Sequence, residues 1–176
     1  DFYDEVSEYT SEFFWETITS NKKIGKIKYP ENQKLPFLQK GTASGRIVGG
    51  NLAVFAHLLG TPYFPNLTGK ILMIEDIGEL PYRVDRMLNQ LRLAGVFKKV
   101  KGIILGRFVD CHEHDPNKKT LTLGEVIADY ITPVKVPSIY TFPHGHIKDL
   151  VTIPFGLKIN LNATKGIVEF AEGAVK

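Results

Sequence analysis

Apolar and polar residues alternate along this chain in two rhythms, and the elements follow from them. Apolar, strand-like runs stand at 70–74 (KILMI), 100–108 (VKGIILGRF) and 137–142 (PSIYTF). Before and between them lie stretches with helical spacing at 51–59, 81–94 and 123–131. The second of these opens on Pro81, a residue suited to the first helical turn, and its Val84, Met87, Leu88, Leu91 and Leu93 predict a buried stripe. Toward the C-terminus, VTIPFGLKINL (151–161) and GIVEF (166–170) predict a closing, hairpin-like pair of strands.

The N-terminal part reads differently. Residues 1–20 predict one helix, capped by Thr10 or Ser11, with Phe13, Phe14, Trp15 and Ile18 as its apolar side. Residues 21–40, rich in Lys, Pro, Asn and Gln, predict a connector with a short strand at 24–29. The glycine-rich segment GTASGRIVGGNL (41–52) leads into the helix at 51–59, and Asp110–Lys119 reads as a polar surface loop. Strands and helices alternate through the middle and β-structure dominates the end, which predicts an α/β layered domain. The organisation expected is a helix and arm over 1–40 and a main domain over 41–176.

Composition narrows the function classes. The chain has 176 residues, enough for one sizeable core, with 43% hydrophobic and 23% charged residues, the balance of a soluble globular protein. A formal charge of +3, with lysines scattered in doublets, lacks the basic stripe that nucleic-acid binding requires. No apolar stretch reaches the roughly 20 residues that cross a bilayer. Cys111 is the sole cysteine, so no internal disulfide can form, as in a reducing compartment. The acidic start DFYDEVSEYT is unlike a secretory signal, and its abrupt opening without Met is expected of a truncated or processed chain.

Candidate chemistry centres on Glu75 and His146, each placed just past an apolar run. A carboxylate that orients a histidine makes two-thirds of a hydrolytic triad. Asp76 and Glu79 compete with Glu75, although strand alternation points Asp76 to the opposite side. His144 competes with His146. The HxH pair is also a zinc pattern, with Asp149 or one of His112 and His114 as further ligand, but no HExxH helix accompanies it. Arg83 and Arg86 share a helix face, ready to pair with the acids or with a substrate carboxylate. The glycines of 41–52 lack the GK[ST] of a phosphate loop and the GxGxxG of a dinucleotide site, so close backbone packing or approach to a ligand explains them better. The helix at 51–59 could offer free N–H groups to an anion. Among nucleophiles, Ser7, Ser11, Ser20, Ser44, Ser138 and Cys111 all lie outside a GxSxG elbow.

With those residues in view, GTASGRIVGGNL, LLGTPYFP, GKILMIEDIGELPYRVDRMLNQLRLAGVF, VKGIILGRF and GHIKDLVTIPFG together resemble the C-terminal part of the LD-carboxypeptidases, the muramoyl-tetrapeptide carboxypeptidase family of serine peptidases. The resemblance implies a swivelling β/β/α-type domain with a mainly parallel sheet flanked by helices. It implies hydrolysis of the bond between the L-centre of a diamino acid and the terminal D-Ala of murein tetrapeptide, in cytoplasmic cell-wall recycling. It also implies a Ser-His-Glu triad with no metal or other cofactor. Matched to that pattern, the catalytic Glu is Glu75 and the catalytic His is His146. The serine is expected in a preceding nucleophile domain, so this chain alone is expected to be inactive. A homodimer is implied as well. The readings that compete are a microcin C immunity-type serine peptidase and a non-catalytic module that binds peptidoglycan fragments.

Overall fold

A computed structural model of the chain describes residues 6–30, 33 and 35–176. Helix α1 (Glu8–Thr19) is followed by β1 (Gly25–Lys26), β2 (Phe37–Gln39), β3 (Thr42–Asn51), α2 (Leu52–His57), β4 (Ile71–Ile77), α3 (Pro81–Leu93), β5 (Gly102–Val109), α4 (Leu123–Ile131), β6 (Ser138–Ile139), β7 (Lys158–Asn162) and β8 (Ile167–Phe170). The eight strands form one sheet in the order β1-β8-β7-β3-β4-β5-β6-β2.

The α/β class holds. The sheet is mixed: β3, β4, β5 and β6 run parallel, and antiparallel strands extend that centre on both sides. The three crossovers carry α2, α3 and α4, and because the four parallel strands lie in chain order, all three helices fall on one face. Leu52, Phe55, Val84, Leu88, Leu91, Val126, Ile127 and Ile131 from these helices meet Leu72, Ile74, Ile103 and Leu105 of the sheet. Each such side chain contributes about 1.5–3 kcal/mol on burial.

With no helices from the crossovers left for the other face, the sheet curls over it. Ile47, Ile71, Met73, Ile104 and Ile139 of the parallel strands pack with Ile159, Leu161, Val168 and Phe170 of β7 and β8. The N-terminal arm draws the two edges together. β1 pairs with β8 at one edge and β2 pairs with β6 at the other. Leu35, just before β2, lies so close to Gly166, just before β8, that a Cβ on Gly166 would sit 3.0 Å from the Leu35 carbonyl oxygen.

Several expectations need correction. The glycine-rich segment 41–52 holds the ten-residue strand β3, which runs through Ser44. Its glycines permit the contact with β4: a Cβ on Gly49 (φ +146°) would lie 1.7 Å from the Met73 carbonyl oxygen. The strands expected at 24–29 and 137–142 shrink to two residues each, and the Pro-flanked β2 was not expected at all. The cap of α1 is Ser7, whose hydroxyl accepts from Thr10 N–H at 3.2 Å. Trp15 and Ile18 of that helix are exposed, as is Leu93 at the end of α3. The five N-terminal residues of the expected helix at 1–20 lie outside the described residues.

Candidate active site

Alternation along β4 divides its two adjacent acids between the faces of the sheet. Glu75 continues the row Ile71–Met73 toward the inside of the curl, and Asp76 continues the row Leu72–Ile74 toward the helices. Glu75 therefore lies within the strand rather than past its end, and both carboxylates are buried.

Asp76 is fully engaged. Its Oδ1 accepts from Asn51 Nδ2 at 2.8 Å and from Ile77 N–H at 2.9 Å, and its Oδ2 accepts from Ala53 N–H at 3.0 Å. Asn51 in turn caps α2 through Val54 N–H at 3.1 Å. The anion expected at the start of this helix is thus a side chain of the chain itself, and Asp76 is a structural rather than a reacting acid.

Glu75 faces His146, with Oε2 3.4 Å from the imidazole Nδ1. Among the described residues, no other group hydrogen-bonds that buried oxygen. The separation is long for a hydrogen bond, as such contacts commonly are in free enzymes before substrate binds. Burial raises the Glu75 carboxyl above its ordinary range; His146 beside it pulls the other way, and the charge of Asp76 adds to the rise.

Two glycines and a bulge create this meeting. The β4–β5 register runs Ile74↔Leu105 and then Asp76↔Phe108, so Gly106 and Arg107 together stand opposite Glu75. Such a bulge re-aims side chains, a device frequent beside active sites. The segment after β6 lies across it, with Phe142 N–H donating to Leu105 O at 3.0 Å and Arg107 N–H to His144 O at 2.8 Å. A Cβ on Gly106 would sit 2.6 Å from the His144 carbonyl oxygen and 2.9 Å from Glu75 Cβ. A Cβ on Gly145 (φ +126°) would sit 2.9 Å from Glu75 Oε2. Helix α1 secures the far side of the loop: Thr10 Oγ1 donates to Lys148 O at 2.7 Å and accepts from Leu150 N–H at 2.8 Å.

The rivals fall into other roles. His144 holds its own loop together, its Nδ1 donating to Val151 O at 2.8 Å, and burial lowers its pKa. Glu79 pairs with Arg83 at 3.5 Å on the surface. Arg86 packs its guanidinium over the Tyr82 ring, 5.3 Å from the centroid, rather than pairing with an acid. Cys111 is buried in the segment expected to be polar and loose; its thiol donates to Val109 O at 3.3 Å, and burial pushes its pKa up. Ser138 is fully buried, while Ser7 caps α1. Among the described residues, no serine or cysteine hydrogen-bonds His146, and no metal-capable group of three includes His144 or His146. What remains is an acid that can hold an imidazole by Nδ1, with the side chain partly open to solvent. That arrangement can orient a base for a nucleophile it does not itself contain.

Sequence reasoning missed Asn51, Gly106 and the bulge. A glycine inside an apolar strand, as in IILGRF, was the available signal.

An acid and an imidazole thus meet beside the parallel centre of the sheet, and sequence comparison identifies the family of the chain that carries them. Residues 44–161 match the model of the LD-carboxypeptidase C-terminal domain. The chain belongs to the LD-carboxypeptidase family, over the C-terminal part. It is 38% identical over 150 residues to the "Probable murein peptide carboxypeptidase" of Bacillus subtilis, covering 83% of this chain and 47% of that protein. It is 30% identical over 159 residues to the microcin C7 self-immunity protein MccF of Escherichia coli, covering 88% of this chain and 45% of that protein. Its fold matches the crystal structure of muramoyltetrapeptide carboxypeptidase from Oxalobacter formigenes with a TM-score of 0.78 and 33% identity, over 96% of this chain and 56% of the other. The chain spans about half the length of the curated relatives it matches.

Proposed function

We propose that this chain supplies the acid and the base of a serine-type LD-carboxypeptidase acting on murein tetrapeptide, and that the serine and most of the oxyanion hole come from a nucleophile domain outside these residues. The observation that carries the reading is the contact of Nδ1 of His146 with Oε2 of buried Glu75, an oxygen to which no other described residue hydrogen-bonds. Glu75 accepts a hydrogen bond from His146 Nδ1–H and fixes the tautomer. His146 Nε2 then takes the proton of the serine and delivers it to the departing D-Ala amine. Work in cytoplasmic murein recycling, as a homodimer, completes the reading. No described helix is long and apolar enough to cross a membrane.

The substrate assignment follows similarity: identity is 38% to the murein-peptide relative and 30% to MccF. The test joins this chain to the nucleophile half of the Bacillus subtilis relative, in one polypeptide or in trans, and offers murein tetrapeptide beside an aminoacyl-sulfamoyl adenosine. Release of D-Ala from the tetrapeptide supports the proposal. Cleavage of the adenosine compound alone moves the assignment to the immunity-type peptidase. Tight tetrapeptide binding by the isolated chain, with no cleavage by any pairing, would make it a binding module.

A further inference from the structure

Beyond the hydrolase site, the end of β5 gathers a second set of chemically capable side chains. Asp110, His112 and His114 each offer one donor atom, and all three atoms lie within 4.8 Å of one another. Asp110 Oδ1 is 3.6 Å from His112 Nδ1 and 3.8 Å from His114 Nε2. The two imidazoles lie tilted by 58° to each other, their centroids 4.5 Å apart.

The backbone dictates this convergence. Asp110 leaves β5 in the left-handed region (φ +53°), which turns the chain sharply. Cys111 then drops inward, so His112 and His114 on either side of the next residue project outward with Asp110. Glu113 between them binds the loop rather than the cluster: its Oε1 accepts from Asp115 N–H at 3.1 Å and lies 3.5 Å from Lys118 Nζ. Buried Cys111 behind and Glu113 beneath thus hold the two imidazoles on one side of the loop.

We propose that Asp110, His112 and His114 form a site for a divalent first-row transition ion of the zinc type. Two imidazoles and one carboxylate are the donor set such ions prefer over magnesium or calcium, which favour oxygen alone. In a tetrahedral zinc site, donors lie about 3.3 Å apart, given metal–ligand bonds near 2.0–2.1 Å. The two spacings from Asp110 exceed that by a few tenths of an ångström and the two histidine donors lie within 4.8 Å of each other; exposed side chains close such gaps by rotation. Three protein ligands leave the fourth position to water. The ion would tie the loop's His112 and His114 to the residue just after β5, the strand whose bulge stands opposite Glu75.

The test titrates the purified, tag-free chain with Zn²⁺ against a chromogenic chelator, and with Co²⁺ followed by its visible spectrum. The expected result is one equivalent bound, with the intense Co²⁺ absorption of a four-coordinate site. His112→Ala and His114→Ala should each weaken binding by about tenfold or more, and His57→Ala, at an exposed histidine on α2, should leave it unchanged. All three substituted side chains are exposed, and circular dichroism of each variant verifies folding. Absence of stoichiometric binding, or binding that His112→Ala and His114→Ala leave intact, overturns the proposal and reduces the cluster to surface ion pairs.

Discussion

Glu75 and Asp76, adjacent in sequence, serve opposite faces of the same sheet: Asp76 holds the start of α2, and Glu75 meets His146 inside the curl. One pleat of a strand thus separates a carboxylate that holds a helix start from one that faces an imidazole. The same pairing of roles makes the surroundings of Glu75 sensitive to small changes.

Gly145 is the most exposed to such a change. It adopts φ +126°, and an added Cβ would crowd Glu75 Oε2 at 2.9 Å and Arg107 O at 3.0 Å. Gly145→Ala should therefore destabilise the fold by about 1–3 kcal/mol and displace His146 from Glu75. Urea unfolding measures the first effect. Wild-type stability in this variant would refute the packing described here.

Burial of Glu75 gives its substitution a pH-dependent sign. Its folded pKa is raised above the ordinary 4.5. Below that ordinary value both states are protonated and the group contributes nothing against folding. As pH rises, the unfolded chain ionises first, and stability falls until the folded group ionises too. Glu75→Gln should unfold like wild type near pH 4 and be more stable than wild type at pH 8. Equal stability at pH 8 would count against a costly buried charge.

His144 carries the reverse linkage. Burial lowers its pKa from the ordinary 6.5, so its contribution is present above that value and is lost as pH falls through the lowered one. His144→Asn, which keeps a donor for Val151 O, should flatten the loss of stability between pH 7.5 and 5. An unchanged slope would show that His144 titrates as freely in the folded chain as in the unfolded one.

Cys111 should resist a thiol reagent. Its side chain is buried and its pKa is raised by that burial. Reaction with dithiobis-nitrobenzoate should be slow in buffer and complete in denaturing urea. Rapid labelling of the folded chain would contradict the inward placement of the residue between Asp110 and His112.

The elements that announced themselves were those whose local chemistry agrees with their environment. Pro81 opens α3, and the capping box of Thr122 and Glu125 opens α4, so both helices fall where the sequence places them. β3 stayed hidden because its glycines answer to the backbone of β4, a neighbour 24 residues further on in the register Gly49↔Met73. β2 stayed hidden because three residues carry too little pattern to read. The pairing of Glu75 with His146 was suggested by the place of each just past an apolar run, and the family resemblance singled them out from Asp76, Glu79 and His144; no spacing rule alone brings two segments so distant in sequence together. The bulge at Gly106 and the Asn51–Asp76 bond depend on strand register, which the apolar pattern of one strand does not encode.

The most direct test is kinetic. In the reconstituted enzyme, D-Ala release from murein tetrapeptide is to be measured for wild type, Glu75→Gln and His146→Ala. The account predicts that kcat falls roughly 10²–10⁴-fold in each, and that the double variant is scarcely worse than His146→Ala alone, because acid and base act as one unit. Wild-type kcat in Glu75→Gln, or losses that multiply in the double variant, would contradict it.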